Sequence, residues 1–569
     1  MNHSVERSAK SSFILILFFS IFLVLLFFSC RNNSGTAMPE IIEPANMDIY
    51  VQKQLLRLLK ENDISKTSID DSTRLFFEAP VRYYYKQTKY AAVWSSQENW
   101  KPYTDSLFYY LSNASMDGLF REDYQYSLLQ SLKQTLDTDS IKRKDARLWA
   151  RADLLLTDAF FHVLQDMKQG RLQHDSLGWK NKEDKQENFF AFYLNKLLSG
   201  DTVSSIVHTL QPDNKDYIAL KKSIPSFLDS MDTKNYTYLY YPYKDSISFL
   251  KKILKRLSES GYSAGTAAVI DSATLSTLLK QYQKANGLKT SGKLSAAMVI
   301  KLNSTDREKL KRIAITLDRY KQLPARLPEK YIWVNIPAYA MQLWQKDSLL
   351  MESKVIVGKP GTPTPRIISQ VSDIVVYPTW TVPNSIIMKE LLPALKKDPG
   401  HLARKGLGLF NNNGDPVDPW SVNWAKYKKG IPYFVRQNSG DNNALGVIKF
   451  NFKNPYSVYL HDTNQRYLFK NKMRSLSHGC VRVQDWRKLA FFMVRNDSIN
   501  SRQPDSLHYN SDSITSWIAQ KQKHTISLKK QIPVFILYFG CEGASNAVKF
   551  FEDIYGEDKV LREKYFAHK

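Results

Sequence analysis

Apolar residues recur at helical spacing through the first half of the chain and alternate or cluster in the second. Leu148, Ala152, Leu155, Ala159, Val163 and Met167 make a stripe that stops at Gly170. That spacing predicts a helix with one face in a core, not a cofactor box. Residues 47–235 are read as a helical domain on such patterns. Residues 244–303 are read as a smaller helical unit, with Leu250, Leu254 and Leu257 before Gly261 and Leu275, Leu278, Tyr282 and Leu302 after it. Leu310, Ile313, Leu317 and Tyr320 predict an amphipathic connector helix at 305–330. From Tyr331 the period changes. Residues 331–336 and 354–358 alternate or run apolar between turns, which is strand chemistry. A mainly β domain over 331–569 follows, with a short helix at 485–494. Residues 384–432 interrupt it with a helix at 386–396 and a Gly/Asn/Pro/Trp-rich stretch at 407–424. Long loops inside compact domains tend to serve function, so 411–424 is expected to be part of a mobile lid. The fold class is multi-domain α+β.

The N-terminus adds an address. Arg7 and Lys10 precede residues 13–28, which are Ile, Leu, Phe and Val apart from Ser20. Sixteen residues fall short of the roughly twenty that span a bilayer and fit a signal segment. The run ends at Phe27-Phe28-Ser29-Cys30, which is similar to a lipoprotein processing site with Cys30 as the lipidated residue. An uncleaved signal anchor and a plain cleavable signal are the alternatives. Each exports the rest of the chain, so a membrane-anchored protein on the periplasmic side of the cell envelope is expected. Residues 31–46 are polar and Pro-containing and read as a tether.

Composition bounds the partners. A net charge of +25 over 569 residues implies an anionic partner. Export, the scatter of Lys and Arg along the chain, and the lack of a nucleic-acid motif argue against nucleic acid and for an acidic envelope polymer. The three cysteines, Cys30, Cys480 and Cys541, make no disulfide framework. Cys541 follows the apolar run 534–539 and is expected to be buried.

The candidate chemistry sits in Ser477-His478-Gly479-Cys480-Val481-Arg482, with His461 upstream. A thiolate nucleophile with a nearby imidazole has the parts for acyl transfer. Gly479 permits close approach of an acyl group, and the Gly479 and Cys480 N–H groups are candidate oxyanion donors. Residues 456–460 read as a strand running into His461, and 462–476 as a loop returning to Ser477. Two strand ends joined in this way bring His461 and Cys480 together. His478 ranks second as base or oxyanion group. A zinc site on His461, His478 and Cys480 lacks any paired-ligand spacing to complete it. No metal or organic cofactor is expected.

His461-Asp462-Thr463 followed by Ser477–Arg482 resembles the signature of L,D-transpeptidases with a YkuD-type catalytic domain. Val357-Gly358-Lys359-Pro360 with Thr364-Pro365, Pro378–Pro383, Arg436-Gln437 and Asn443–Gly446 are similar to the large YcbB type, with Tyr377 standing where that type has Asn. Trp94, Trp100 and Asp117-Gly118-Leu119 resemble its helical scaffold. Residues 244–303 resemble a peptidoglycan-binding module, with Ser291-Gly292 in place of its Asp-Gly and Tyr282 in place of a Phe. The resemblance implies a 3→3 cross-linking transpeptidase acting on peptidoglycan stem peptides and glycan as a monomer. It makes Cys480 the nucleophile, His461 the base and then acid, and Arg482 an orienting group. It also places Ser477, Trp380, Tyr377 and Arg436 along the donor groove, and the lid over the site. Resolution of the acyl-enzyme by water, by a protein amine or by a free D-amino acid is the alternative, as is a non-catalytic wall-binding scaffold.

Overall fold

The computed structural model describes residues 42–60, 68–70, 73–172, 188–263, 271–324, 326–500 and 509–567. The signal segment, Cys30 and most of the tether lie outside them. The tether is shorter than its composition suggests, because a helix begins inside it at Pro44–Lys60. No helix among the described residues is long and apolar enough to cross a membrane.

The chain divides into two compact units, residues 1–108 with 124–162, and residues 109–123 with 163–569. The first is helical around a dense aromatic core of Tyr85, Trp94, Trp149 and Phe160. A buried carboxylate organises it. Asp153 accepts the N–H groups of Val93 (3.0 Å) and Trp94 (2.8 Å), together with the Tyr85 hydroxyl. An unpaired charge there would be costly, and three donors meet it.

In the second unit, α1 (Ser246–Glu259), α2 (Ser272–Ala285) and α3 (Ala296–Asn303) pack around Phe249, Ile253, Leu257, Leu278 and Met298. Leu239 joins this core, so the module starts before 244. The Gln283 carboxamide accepts the Ser291 and Gly292 N–H groups, each at 2.9 Å, and so holds the turn between α2 and α3.

α4 (Asp306–Lys321) departs from the expected amphipathic connector. Every residue from Ile313 to Lys321 is buried. Ile313, Leu317 and Tyr320 face the outside of a β-barrel, while Ala314 and Ile315 meet Leu172 and Phe566. Its charged residues survive burial through partners: Arg319 reaches Asp558 at 2.6 Å and Lys321 reaches Asp318 at 2.9 Å.

The barrel strands are β1 (Lys330–Asn335), β2 (Ala340–Gln345), β3 (Ser348–Gly358), β4 (Ile367–Val376), then β8 (Ile448–Phe452), β9 (Leu460–His461), β10 (Ser475–Ser477), β11 (Val481–Val483) and β12 (His524–Leu537). Between them lie β5 (Trp380–Thr381), β6 (Leu407–Phe410) and β7 (Phe434–Gln437). The neighbour order is β10-β3-β11-β9-β8-β4-β12-β1-β2, and β2 also pairs with β3, which closes eight strands into a ring. Its interior holds Ile332, Val334, Val355, Ile374, Phe450, Leu460 and Val481, capped by Leu489 and Met493 of α5 (Trp486–Asn500). On β1 and β12 the residues between the inward ones are buried as well. Trp333, Phe535 and Leu537 pack outward against α4 and the helix Lys215–Asp229. Burial on both faces explains the unbroken apolar run at 534–539. Cys541 ends that run, fully buried, with Sγ 3.3 Å from Thr316 Oγ1.

The interruption is a folded cap rather than a loop. β5, β6 and β7 form a three-stranded sheet, so it starts at Trp380 and ends at Gln437. Asn384 to Leu395 wind continuously with a π-turn at Ile387–Leu391. Val382, Ile387, Leu395, Leu409, Trp424 and Val435 make its own core. Within the stretch expected to be a mobile lid, Trp424 is buried and donates Nε1–H to the Pro419 carbonyl at 2.8 Å.

Candidate active site

The strand expected at 456–460 is only Leu460–His461. Asn454 explains this, since its side chain accepts the N–H groups of Tyr456 and Val458 at 3.0 Å, and Ser457 sits at φ 56°. The turn shortens the strand but aims it. β9 runs parallel to β11, with Leu460 opposite Val481 and His461 opposite Arg482. Cys480 therefore lies just before the pair, across from Tyr459, whose carbonyl accepts the Val481 N–H at 3.1 Å.

The Cys480 bend is built from glycine and hydroxyl groups. Gly479 has φ +123°, a region that disfavours side chains. Ser477 Oγ accepts the Gly479 N–H at 3.1 Å and donates to the Cys480 carbonyl at 2.6 Å. Thr364 Oγ1 donates to the Gly479 carbonyl and accepts the Gly358 N–H, both at 2.8 Å. A Cβ on Gly358 would strike the backbone of Thr362, which accounts for the glycine in Val357-Gly358-Lys359-Pro360. These bonds correct two expectations. The Gly479 N–H is engaged by Ser477, and no protein partner meets the Cys480 N–H among the described residues, so of the two candidate donors only the latter is open. Ser477 is a clamp on the bend rather than a wall of the groove.

Cys480 is half-buried. Burial pushes its thiol up, while the N–H and hydroxyl of Tyr459, Lys449 and Arg482 pull the other way. Sγ also lies 3.9 Å from the Ser457 carbonyl. The resting thiol thus meets the Ser457 carbonyl, not His461. The His461 ring packs edge-on to Tyr459 with centroids 5.5 Å apart. It is 4% exposed, and burial pushes it down to about 3, with the Arg482 guanidinium adding to the shift. Backbone groups of Asp462 and Leu445 offset part of this, and Nδ1 is buried without a hydrogen-bond partner. His461 is therefore neutral, as a base must be. Arg482 donates to Gln465 Oε1 at 3.1 Å and to Thr463 Oγ1 at 3.3 Å, which fixes the loop after His461.

The other candidates separate. His478 turns to the cap, where its Nε2 lies 2.6 Å from Glu390 Oε1, and Lys359 Nζ lies 3.7 Å from the same oxygen. Burial works to raise the Glu390 carboxyl, but His478 and Lys359 overcome it and hold it below its ordinary value. Trp380, on β5, pairs with Gln437 in the cap sheet. Tyr377 does not line a groove. It is 4% exposed within the barrel core, with its hydroxyl 3.3 Å from Asp441. Arg436 belongs to the cap sheet, its guanidinium 5.1 Å over the Phe410 ring. Sequence reasoning missed Lys449, Tyr459, Glu390 and Asp462. Asp462, fully buried, accepts the Val447 N–H at 3.0 Å and pairs with Arg466. A Cβ on Gly446 would collide with that carboxylate. No group of three or more His, Cys, Asp or Glu suited to a metal occurs among the described residues.

Comparison with known proteins agrees on the domain. Residues 329–500 match the YkuD family, the L,D-transpeptidase catalytic domain, and residues 79–224 match the Scaffold domain. A Haemophilus influenzae protein named "Putative L,D-transpeptidase" is 35% identical over 230 residues, 40% of this chain and 45% of that protein. The chain thus spans less than half the length of that relative. Among solved structures, an L,D-transpeptidase from Mycobacterium smegmatis is 12% identical with TM-score 0.18, covering 37% of this chain and 58% of its own. One from Stackebrandtia nassauensis is 12% identical with TM-score 0.15, covering 53% and 97%. Likenesses at those scores carry no weight beside the family match. Residues 329–500 are thus similar to the YkuD-type L,D-transpeptidase catalytic domain and residues 79–224 to the Scaffold domain, within a multi-domain α+β architecture.

Proposed function

We propose that the protein is a peptidoglycan L,D-transpeptidase of the cell envelope that forms 3→3 cross-links through a thioester on Cys480. It is held at the membrane through Cys30 or a signal anchor. Cys480 Sγ attacks the carbonyl of the third residue of a donor tetrapeptide. The Cys480 N–H receives the oxyanion. The intermediate collapses, the bond to the terminal D-Ala breaks, and His461, which took the thiol's proton, passes it to the departing amine. A side-chain amine of a second stem then attacks the thioester. Neutral His461 takes its proton, and Sγ leaves. Arg482 fixes the loop that carries His461.

The observation that supports this most is the bend around Cys480. Ser477 and Thr364 hold it and leave the Cys480 N–H without a protein partner among the described residues, two residues before Arg482, which pairs with the buried His461 across β9 and β11. The test is to incubate the full chain in detergent with purified disaccharide-tetrapeptide, beside Cys480→Ala, and to read products by mass spectrometry. A Cys480-dependent dimer with release of D-Ala is expected. Tripeptide alone would make water the acceptor. No adduct and no product from folded protein would sink the enzymatic reading and favour a wall-binding scaffold.

A further inference from the structure

The peptide unit that joins Gly479 to Cys480 carries a carbonyl and an N–H pointing in opposite directions. The unit is planar and trans, so whatever holds the Gly479 carbonyl also aims the Cys480 N–H. Thr364 Oγ1 holds that carbonyl at 2.8 Å. Thr364 ends a tight loop, 358–364, that lies against the bend. The Lys359 N–H donates to the Ser477 carbonyl at 3.0 Å, and a Cβ on Gly479 would stand 3.6 Å from the Pro363 carbonyl oxygen.

One side chain staples both ends of the loop. The Tyr555 hydroxyl donates to the Gly358 carbonyl at 2.6 Å and accepts the Thr364 N–H at 3.1 Å. The Gly358 N–H donates to Thr364 Oγ1 at 2.8 Å, which leaves the threonine proton for Gly479. Tyr555 is anchored in turn. Its N–H donates to the Tyr538 hydroxyl at 3.2 Å, and that hydroxyl donates to Asp553 Oδ1 at 2.6 Å. Asp553 also accepts the Asp558 and Lys559 N–H groups, at 3.2 and 2.8 Å, at the start of the helix Glu557–Tyr565. Tyr555 lies outside residues 329–500, which match the catalytic family. We propose that Tyr555 is a positioning residue that acts through Thr364 to aim the Cys480 N–H at the oxyanion. Hydrogen bonds in series polarise one another, so the same relay makes that N–H a stronger donor. The proposal rests on Cys480 being the nucleophile of an acyl transfer.

The test sets two reactions of the full chain side by side: D-Ala release from disaccharide-tetrapeptide and alkylation of Cys480 by iodoacetamide. Only the first forms an oxyanion. Tyr555→Phe, checked for folding by circular dichroism, should lower kcat about tenfold at unchanged KM, a part of the roughly 10²–10³ lost when an oxyanion donor is removed outright. Its alkylation rate should match wild type. Thr364→Val should lower kcat further, and Thr364→Ser should restore most of that loss. The double variant should fall no further than Thr364→Val alone, because the two residues act in series. Wild-type kcat in Tyr555→Phe would overturn the proposal. Equal losses of alkylation and kcat would also overturn it, since they mean a bend loosened as a whole. Should Tyr555→Phe not fold, Thr364→Val against Thr364→Ser carries the same comparison. Failure of the transpeptidase reading shows instead in wild type, which would alkylate yet release no D-Ala.

Discussion

Ser477 shows how one hydroxyl can matter without touching substrate. It accepts from Gly479 and donates to Cys480, so its loss frees the bend that aims Sγ. Ser477→Ala should lower kcat about tenfold or more with a smaller change in KM, as expected when a reacting group is misaligned. Steady-state kinetics on tetrapeptide checks this, and an effect confined to KM would return Ser477 to the groove wall. His461 carries a second consequence. Its imidazole is pushed from 6.5 to about 3, so the unfolded chain binds a proton that the folded chain refuses. Its contribution is present above about 6.5 and is lost as pH falls toward about 3. Denaturant midpoints measured down this window should fall less steeply for His461→Phe than for wild type. Cys480 and His461 were legible in the sequence because their chemistry is rare and their spacing specific. Lys449 and Tyr459 were not, because single polar atoms on short apolar strands look like ordinary pleat alternation.

At the scale of elements, the cap is tied to the catalytic bend by charge. Glu390 on the cap helix meets His478 of the Cys480 motif and Lys359 of the glycine loop. Both partners of the closest pair are partly exposed, so its worth is at most about 1 kcal/mol after screening. Glu390→Gln should therefore leave the fold intact while speeding hydrogen exchange in 384–395. Unchanged exchange would mean that the cap core alone holds the helix in place. The helix at 386–396 and the barrel strands at 331–336, 354–358 and 534–539 were readable from the pattern. A cap at 384–432 was expected from the family resemblance alone, and its order was not readable from pattern, because its glycine, asparagine and proline residues look like a loop, while Trp424 in its core stands singly.

Across the whole second unit, α4 is where charge pattern misled. Asp318-Arg319 and Lys321 look like a solvated face, yet all are buried and paired. The partner of Arg319 comes from the far end of the chain, in the helix Glu557–Tyr565, a pairing no local pattern announces. Asp558 also meets Arg312 at 3.1 Å. Asp558→Ala would leave both guanidinium groups short of an anion in a buried seam, costing about 3–5 kcal/mol. A fall in melting temperature of several degrees checks it. A loss no larger than that of a surface Asp→Ala control would place the stability of the seam in its apolar contacts.

The burial of Cys541 beneath α4 turns the two cysteine thiols of the described residues into a clock. Cys480 answers reagents from the folded protein. Cys541, sealed against Thr316, answers only when the barrel wall and α4 part. A reagent that counts both reads occupancy of the catalytic thiol in its first equivalent and, in the slow second one, how often the seam breathes.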